Sequence, residues 1–591
     1  MKHISLIKSI PTFLLILFIA LLSSISFSYA YTSPYNSGHI SLLTVSESAN
    51  NTEQGGIADL YLEVKPGSGR IFIDSFPLSK LDTQITIRYA TEIACDLLDK
   101  DCSGYDFFYT ITANSAVVGG PSAGAATTVL TVAILDNQKL RNDTIMTGTI
   151  NSGNLVGPVA GVPAKAQAAQ LYGFKRVLIP KWDAVNNTPN KNLSIEVIPI
   201  STLETALYYF TGKNYSTDAP TEGAINSVEY DTIMRQVTID LCTKYGKMNG
   251  NEMILPNLTS YGFNMTNSTQ DNFQLALNAL KSNSYYSAAS FCFGGNVKVG
   301  NTLIENLSND KLKVLYAQLL GNVSQFKLEL DKNSKSLSTI SELETYMIVA
   351  ERISDTKNIL SSINPENIST YQLAYAIERF DTAVVWSRFS KLPGQKFVMD
   401  DNLLRVVCSK KLSEAEERLN YLELYYPNSD IRNDLNTAYD YSSSQDYALC
   451  IFTASKVKAD SDVVLSAIFV SENDTSRLFD EKIAAARRII IKQGKADIFP
   501  ILGYSYYEYA NTLKDTDTYS ALLYAEYSLD LSNLDMYFKK RDALNLPSVS
   551  NVDSTHLYIF ILGLSAGIFI SVLALLLLYK VSRKKQVKHK R

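Results

Sequence analysis

Histidine is nearly absent from this sequence, with four in 591 residues. His3 lies in an N-terminal apolar leader, His556 abuts a C-terminal apolar run and His589 is in a basic tail, so His39 stands alone in the chain between. A Ser-His-Asp triad would hang on His39 in "YNSGHI", which reads as a linker into the first strand. Metal-ligand spacing is missing too: neither C-x-x-C nor H-E-x-x-H occurs, and no metal or other cofactor is expected. No G-x-x-x-x-G-K-[ST] loop occurs, and "GGNVKVGNT" at 294–302 lacks its lysine placement, which excludes a P-loop ATP motor. Nor is there an excess of charge of one sign. The formal net charge is −4 with both signs dispersed, so no basic face is available and nucleic acid is not an expected partner.

Uncharged apolar runs, by contrast, stand at both ends. Residues 1–30 combine Lys2 and Lys8, an apolar segment and a small-residue close at Ser28-Tyr29-Ala30, the order of a secretory signal peptide. Residues 557–579, "LYIFILGLSAGIFISVLALLLLY", are long enough for a transmembrane helix, and the basic tail 580–591 follows at once. Such a tail stays cytoplasmic, so the reading is a single-pass cell-membrane protein with its N-terminal bulk extracellular. N-glycosylation triplets begin at Asn50, Asn142, Asn186, Asn192, Asn214, Asn257, Asn264, Asn267, Asn306, Asn322, Asn367 and Asn473. The six cysteines, Cys95, Cys102, Cys242, Cys292, Cys408 and Cys450, are even in number and lie in the same segment. They are candidate disulfide partners; pairing between sequence neighbours would keep each bridge local, but sequence leaves the connectivity open.

At this length at least two folded domains are expected. From residue 39 to 212 strand-like text ("ISLLTV", "ADLYLEV", "RIFIDSF", "FFYTITANSAVV", "RVLIP", "SIEVIPI") alternates with helical spacing ("KLDTQITIRYATEIACDLL", "PAKAQAAQLYGF"), which predicts an α+β domain. A polar, turn-rich linker spans 213–227. Residues 228–545 carry helical apolar spacing and few strand signals, which predicts an all-α accessory domain. Fragments such as "YSAASF", "YALCIF" and "YSALLY" recur there at unequal intervals, so antiparallel helical hairpins are expected rather than a solenoid.

The chemistry centres on "GGPSAGAATTVLTVAILDN" at 119–137. Ser122, between Pro121 and Ala123, is either a helix cap or a nucleophile. With histidine scarce, a serine nucleophile needs another base, and a buried lysine serves once burial favours its neutral form. "GPVAGVPAKAQAAQLYGF" offers Lys165, set among Ala, Val and Pro, with a snorkelling surface lysine as the alternative. Between the two, "TIMTGTI" presents Thr147 at a strand end, where its hydroxyl could bond the amine. Backbone N–H groups around Gly120–Ala123 would stabilise an oxyanion, and Pro121 and Gly124 would hold the turn and allow close substrate approach.

In this order the segments resemble the proteolytic domain of Lon-type proteases over Pro66–Thr211. "GGPSAG" matches that family's G-P-S-A-G, "MTGTI" is similar to M-T-G-E-I, "GPVAGVPAKAQAAQLYGFKRVLIP" is similar to its lysine-bearing stretch and following strand, and "PGSGRIFI" to an upstream hairpin. The resemblance implies Ser122 as nucleophile, Lys165 as general base and Thr147 as the group orienting the amine, in a serine endopeptidase acting on polypeptide. Two departures stand out: Gly119 replaces the acidic residue before G-P-S, and Thr149 the glutamate after threonine-glycine. With no motor domain, the chain looks like the membrane-anchored, ATP-independent relatives found in archaea. Ring assembly in the family implies a homo-oligomer. The rival readings are a catalytically weak or inactive cell-surface scaffold on a protease-like fold, and a chain that cuts only itself.

Overall fold

A computed structural model describes residues 36–47, 53–182, 193–216, 225, 227–248, 267–333, 337–427, 429–538 and 554–588. The expected signal peptide at 1–30 lies outside the described residues, as do Asn50, Asn186, Asn192, Asn257 and Asn264.

The first part is built on one seven-stranded sheet of order β3-β4-β2-β1-β5-β8-β9. Its strands are β1 (Ser37–Glu47), β2 (Glu53–Pro66), β3 (Ile71–Ser79), β4 (Tyr105–Val118), β5 (Thr144–Met146), β8 (Arg176–Pro180) and β9 (Glu196–Ile200). A separate hairpin pairs β6 (Thr149–Asn151) with β7 (Leu155–Gly157). Among the described residues four helices accompany these strands: α1 (Leu81–Leu97), α2 (Gly124–Leu135), α3 (Val162–Leu171) and α4 (Leu203–Thr211). β2 shows why the sheet forms: Ala58, Leu60, Leu62 and Val64 alternate inward while their neighbours face out, the period of a half-buried strand. His39 belongs to β1, opposite Tyr61 in the ladder, and not to a linker as its sequence context suggested. Its Nε2 lies 2.8 Å from Asp59 Oδ1 on an exposed surface.

α2 is buried from Gly124 through Ile134. A helix apolar all round tolerates threonine only if each hydroxyl finds an acceptor. Thr127, Thr128 and Thr131 donate to the carbonyls of Ala123, Gly124 and Thr127, one turn back.

From Val228 to Leu531 the described chain is helical, and its core gathers Trp386, Phe389, Phe397 and Phe452 among aliphatic side chains. Cys242–Cys292 ties helix Val228–Met248 to Tyr285–Ile304, and Cys408–Cys450 ties Asp401–Glu423 to Tyr447–Phe469. Cys95–Cys102 closes the end of α1 onto the turn before β4. The fold class is that expected: an α+β part followed by an all-α part.

The described sheet-bearing and helical parts, through Phe538, pack into one compact unit. Gly153, between β6 and β7, is approached so closely that a Cβ there would lie 2.8 Å from Leu529 and 3.2 Å from Ala485. Leu155 joins Ala485, Ala486, Ile489 and Leu529 in a shared apolar cluster. The second unit, from Lys540 onward, contains helix Ser554–Lys588. Ile561–Lys580 within it is, among the described residues, the one helical stretch long and apolar enough to cross a membrane.

Candidate active site

β4 delivers the chain to Gly119 and Gly120, and Gly120 adopts φ +107°, a backbone region that side chains rarely enter. Pro121 then opens a 3-10 turn, Pro121–Ala123, with Ser122 at its centre and α2 directly after. Neither the turn nor α2 has a side-chain cap hydrogen bond at its start, so Ser122 is not the helix cap its sequence context allowed.

Thr147 follows β5, its N–H donating to Leu178 O in β8 at 3.1 Å. Gly148 N–H donates to Ser122 O at 3.0 Å, and Ala125 N–H to Gly148 O at 3.1 Å, which staples the threonine segment to the serine turn. Lys165 lies on the first turns of α3, where Gly161, left-handed at φ +66°, starts the helix. Lys165 is 2% exposed and Thr147 1%, so Lys165 is no snorkelling surface lysine. Its Nζ donates to Thr147 Oγ1 at 3.2 Å, and Thr147 Oγ1 donates to Ser122 O at 3.4 Å. The three residues picked from the sequence thus converge through Thr147, although they stand on three different elements.

Gly124 is closely enclosed. A Cβ there would lie 2.9 Å from Ile150 Cγ2 and 3.0 Å from Thr86 Cγ2. Its missing side chain lets α2 approach β6 and α1. The space beside Gly119 is filled by the Lys80 stem, with Cδ 2.4 Å from where a Cβ would stand.

Beside Pro121 is a narrow recess whose floor includes Ile85, Thr86 and Ile150, and whose wall comes from the helical part through Glu417, Arg418 and Lys458. Burial pushes the Glu417 carboxyl up to about 7, against the pull of the neighbouring Arg418. Burial likewise raises the Tyr89 phenol to about 12. Sequence reasoning missed Glu417, Arg418 and Lys458, because nothing in "SEAEERLNYLE" or "TASKVKAD" distinguishes a buried charge from one on a solvated helix face. Among the described residues no cluster of His, Cys, Asp and Glu is arranged to hold a metal.

Residues 107–210 match the family model of the Lon protease (S16) C-terminal proteolytic domain. A peroxisomal Lon protease homolog 2 of Zea mays is 38% identical over 98 residues, 16% of this chain and 11% of that protein. Archaeal Lon proteases of Thermococcus kodakarensis and Methanocaldococcus jannaschii are 32% identical over 110 and 107 residues; each match covers 18% of this chain, and 17% and 16% of the respective relative. The likeness to these relatives therefore covers a small part of each, and the family-model match spans the segment that carries Ser122, Thr147 and Lys165. Residues 107–210 of this chain are a Lon-type protease domain.

Proposed function

We propose that the chain is a membrane-anchored serine endopeptidase that hydrolyses polypeptides outside the cell with a Ser122/Lys165 dyad and without ATP. The observation that carries this reading is the buried amine of Lys165 bonded to Thr147, which in turn reaches the Ser122 turn, inside a Lon-type domain. Lysine taken out of water favours its neutral form, the form that accepts a proton. Ser122 Oγ attacks the scissile carbonyl carbon while its proton passes to Lys165 Nζ. Gly124 N–H donates to Pro121 O and Ala125 N–H to Gly148 O, so the oxyanion is left to backbone amides within Gly120–Ala123. As the C–N bond breaks, Lys165 returns the proton to the leaving amine and an acyl ester remains on Ser122. Water, deprotonated by Lys165, then attacks that ester and frees the serine. Thr147 keeps the amine aimed throughout.

The full-length protein in detergent micelles is expected to cleave an unfolded polypeptide with ATP absent, and a fluorophosphonate probe to label Ser122. Neither cleavage nor labelling, in protein that melts cooperatively, would favour the scaffold reading.

The placement rests on the apolar stretch Ile561–Lys580, the basic residues after it and the glycosylation triplets. Asn142, Asn214, Asn306, Asn322, Asn367 and Asn473 are all exposed, as an acceptor must be. Protease added to intact cells should digest the chain up to about residue 556 and spare a short C-terminal fragment, and mass spectrometry should find glycans on several of these asparagines. A chain protected from external protease would refute the orientation.

A further inference from the structure

The chain between Thr147 and Lys165 is the hairpin β6–β7, and its outer supports come from the helical part. Arg418, 2% exposed on helix Asp401–Glu423, donates through Nη2 to Ile150 O at 3.3 Å and to Asn151 Oδ1 at 2.8 Å. Its guanidinium is held from behind by Asp462, 3.2 Å away on helix Tyr447–Phe469. One turn further along the same helix, Tyr421 OH accepts from Ala160 N–H at 3.1 Å. One helix face thus grips the chain three residues after Thr147 and again five residues before Lys165.

Asn151 Oδ1 also accepts from Thr149 Oγ1 at 3.3 Å. Thr149 is the departure from the glutamate of the Lon-type pattern, and its hydroxyl shares an acceptor with Arg418.

We propose that Arg418 is a positioning residue for the Ser122/Lys165 pair, so that the helical part completes the catalytic site within the same chain. This rests on the assignment of those two residues as the reacting groups. Arg418 touches neither of them; it fixes β6, and through β6 the Thr147–Gly148 segment that is bonded to Lys165 Nζ and to the Ser122 carbonyl.

The test uses the full-length protein in detergent micelles, with Arg418→Met, Arg418→Lys, Asn151→Ala and, as a control, Arg432→Met. Arg432, on helix Ile431–Ser443, pairs with Glu416 and Glu423 of the Arg418 helix but has no bond to the hairpin among its described contacts. Two quantities are read: the rate of fluorophosphonate labelling of Ser122 across pH 6–10, and kcat and KM for an unstructured peptide. Arg418→Met should lower kcat by roughly 10- to 100-fold, as loss of alignment does, with KM within about twofold, and should move the pH midpoint of labelling. Arg418→Lys should recover part of kcat, and Arg432→Met should change neither quantity. If Arg418→Met does not fold, Asn151→Ala carries the test, since it leaves the Arg418–Asp462 pair and the Ile150 bond intact. Wild-type labelling with Arg418→Met, or Asn151→Ala in its place, matching it in rate and midpoint would overturn the positioning role alone. Equal losses in Arg432→Met would do the same, by assigning the effect to general helix packing. No labelling of wild type at any pH would overturn the catalytic assignment itself.

Discussion

Ser122→Ala is expected to abolish hydrolysis, by about 10³-fold or more, while leaving the melting temperature nearly unchanged. A serine acting as a cap would show the reverse, a loss of ~1 kcal/mol of stability with activity kept. The absence of a side-chain cap bond at either helical start beside Ser122 points to the first pattern. Lys165 gives the sharper contrast. Arginine keeps the positive charge but cannot act as a base near neutral pH, so Lys165→Arg should be inactive, and so should Lys165→Met, which fits the 2% exposed site with less crowding. In the wild type the rate should rise with pH across 6–10, because only the deprotonated amine accepts the serine proton. Thr147→Val removes the acceptor of Lys165 Nζ and the donor to Ser122 O, and should slow the reaction without ending it. Cleavage of an unfolded polypeptide by the four variants and wild type, each checked by thermal melting, decides the matter. Activity in Ser122→Ala and Lys165→Arg equal to wild type would end the dyad reading.

What could be read from sequence here was local. Ser122, Thr147 and Lys165 each sit in a short stretch whose glycine, proline and small residues announce a turn or a closely packed helix, and their order matches one family. β2 alternates and α1 carries apolar residues at helical spacing, so β2, α1 and the small-residue helix α3 fall where the sequence puts them. What failed to show were contacts between residues far apart in the chain. Arg418 lies 267 positions from Asn151, and nothing in "EAEERLNYLE" separates a buried arginine from a solvated one. The glutamate missing at Thr149 reads, by itself, as a weakened site; the structure puts Asn151 and Arg418 beside that threonine. His39 misled in the other direction, because its polar neighbours hid a place in the β1–β2 ladder.

The same long-range blindness covers the buried charges at the hairpin tip, where the largest effect on stability is expected. Lys458 Nζ donates to Asp530 Oδ1 at 2.8 Å, Ser152 Oγ at 3.1 Å and Glu414 Oε2 at 3.2 Å; Lys411 reaches Asp530 Oδ2 at 3.1 Å, and Ser152 Oγ donates to Asp530 Oδ1 at 2.9 Å. All five side chains are buried. Burial would push the Asp530 carboxyl up, but the ammonium groups of Lys411 and Lys458 outweigh it and hold it well below the usual range. Burial would depress Lys458, but Asp530, Tyr89 and Glu414 hold it well above an ordinary amine. The signs set the window: the Asp530 contribution is present above the ordinary carboxylate pKa and is lost as pH falls through its folded value, while the Lys458 contribution is present below the ordinary lysine pKa and is lost as pH rises through its folded value. Between about pH 5 and 9 both are intact. Lys458→Met removes one cation and leaves carboxylates buried with too few partners, so it should cost roughly 3–5 kcal/mol, and nearly the same amount at pH 6 as at pH 8. Adding Asp530→Asn should restore part of the loss, because it removes one of the two buried carboxylates left to share Lys411. Since Ser152 at the tip of β6–β7 bonds both residues, the single variant should also lose hydrolytic rate before it loses its fold. Melting temperatures of the two single variants and the double one measure the coupling; all three within about 1 °C of wild type would show that the cluster adds nothing to stability.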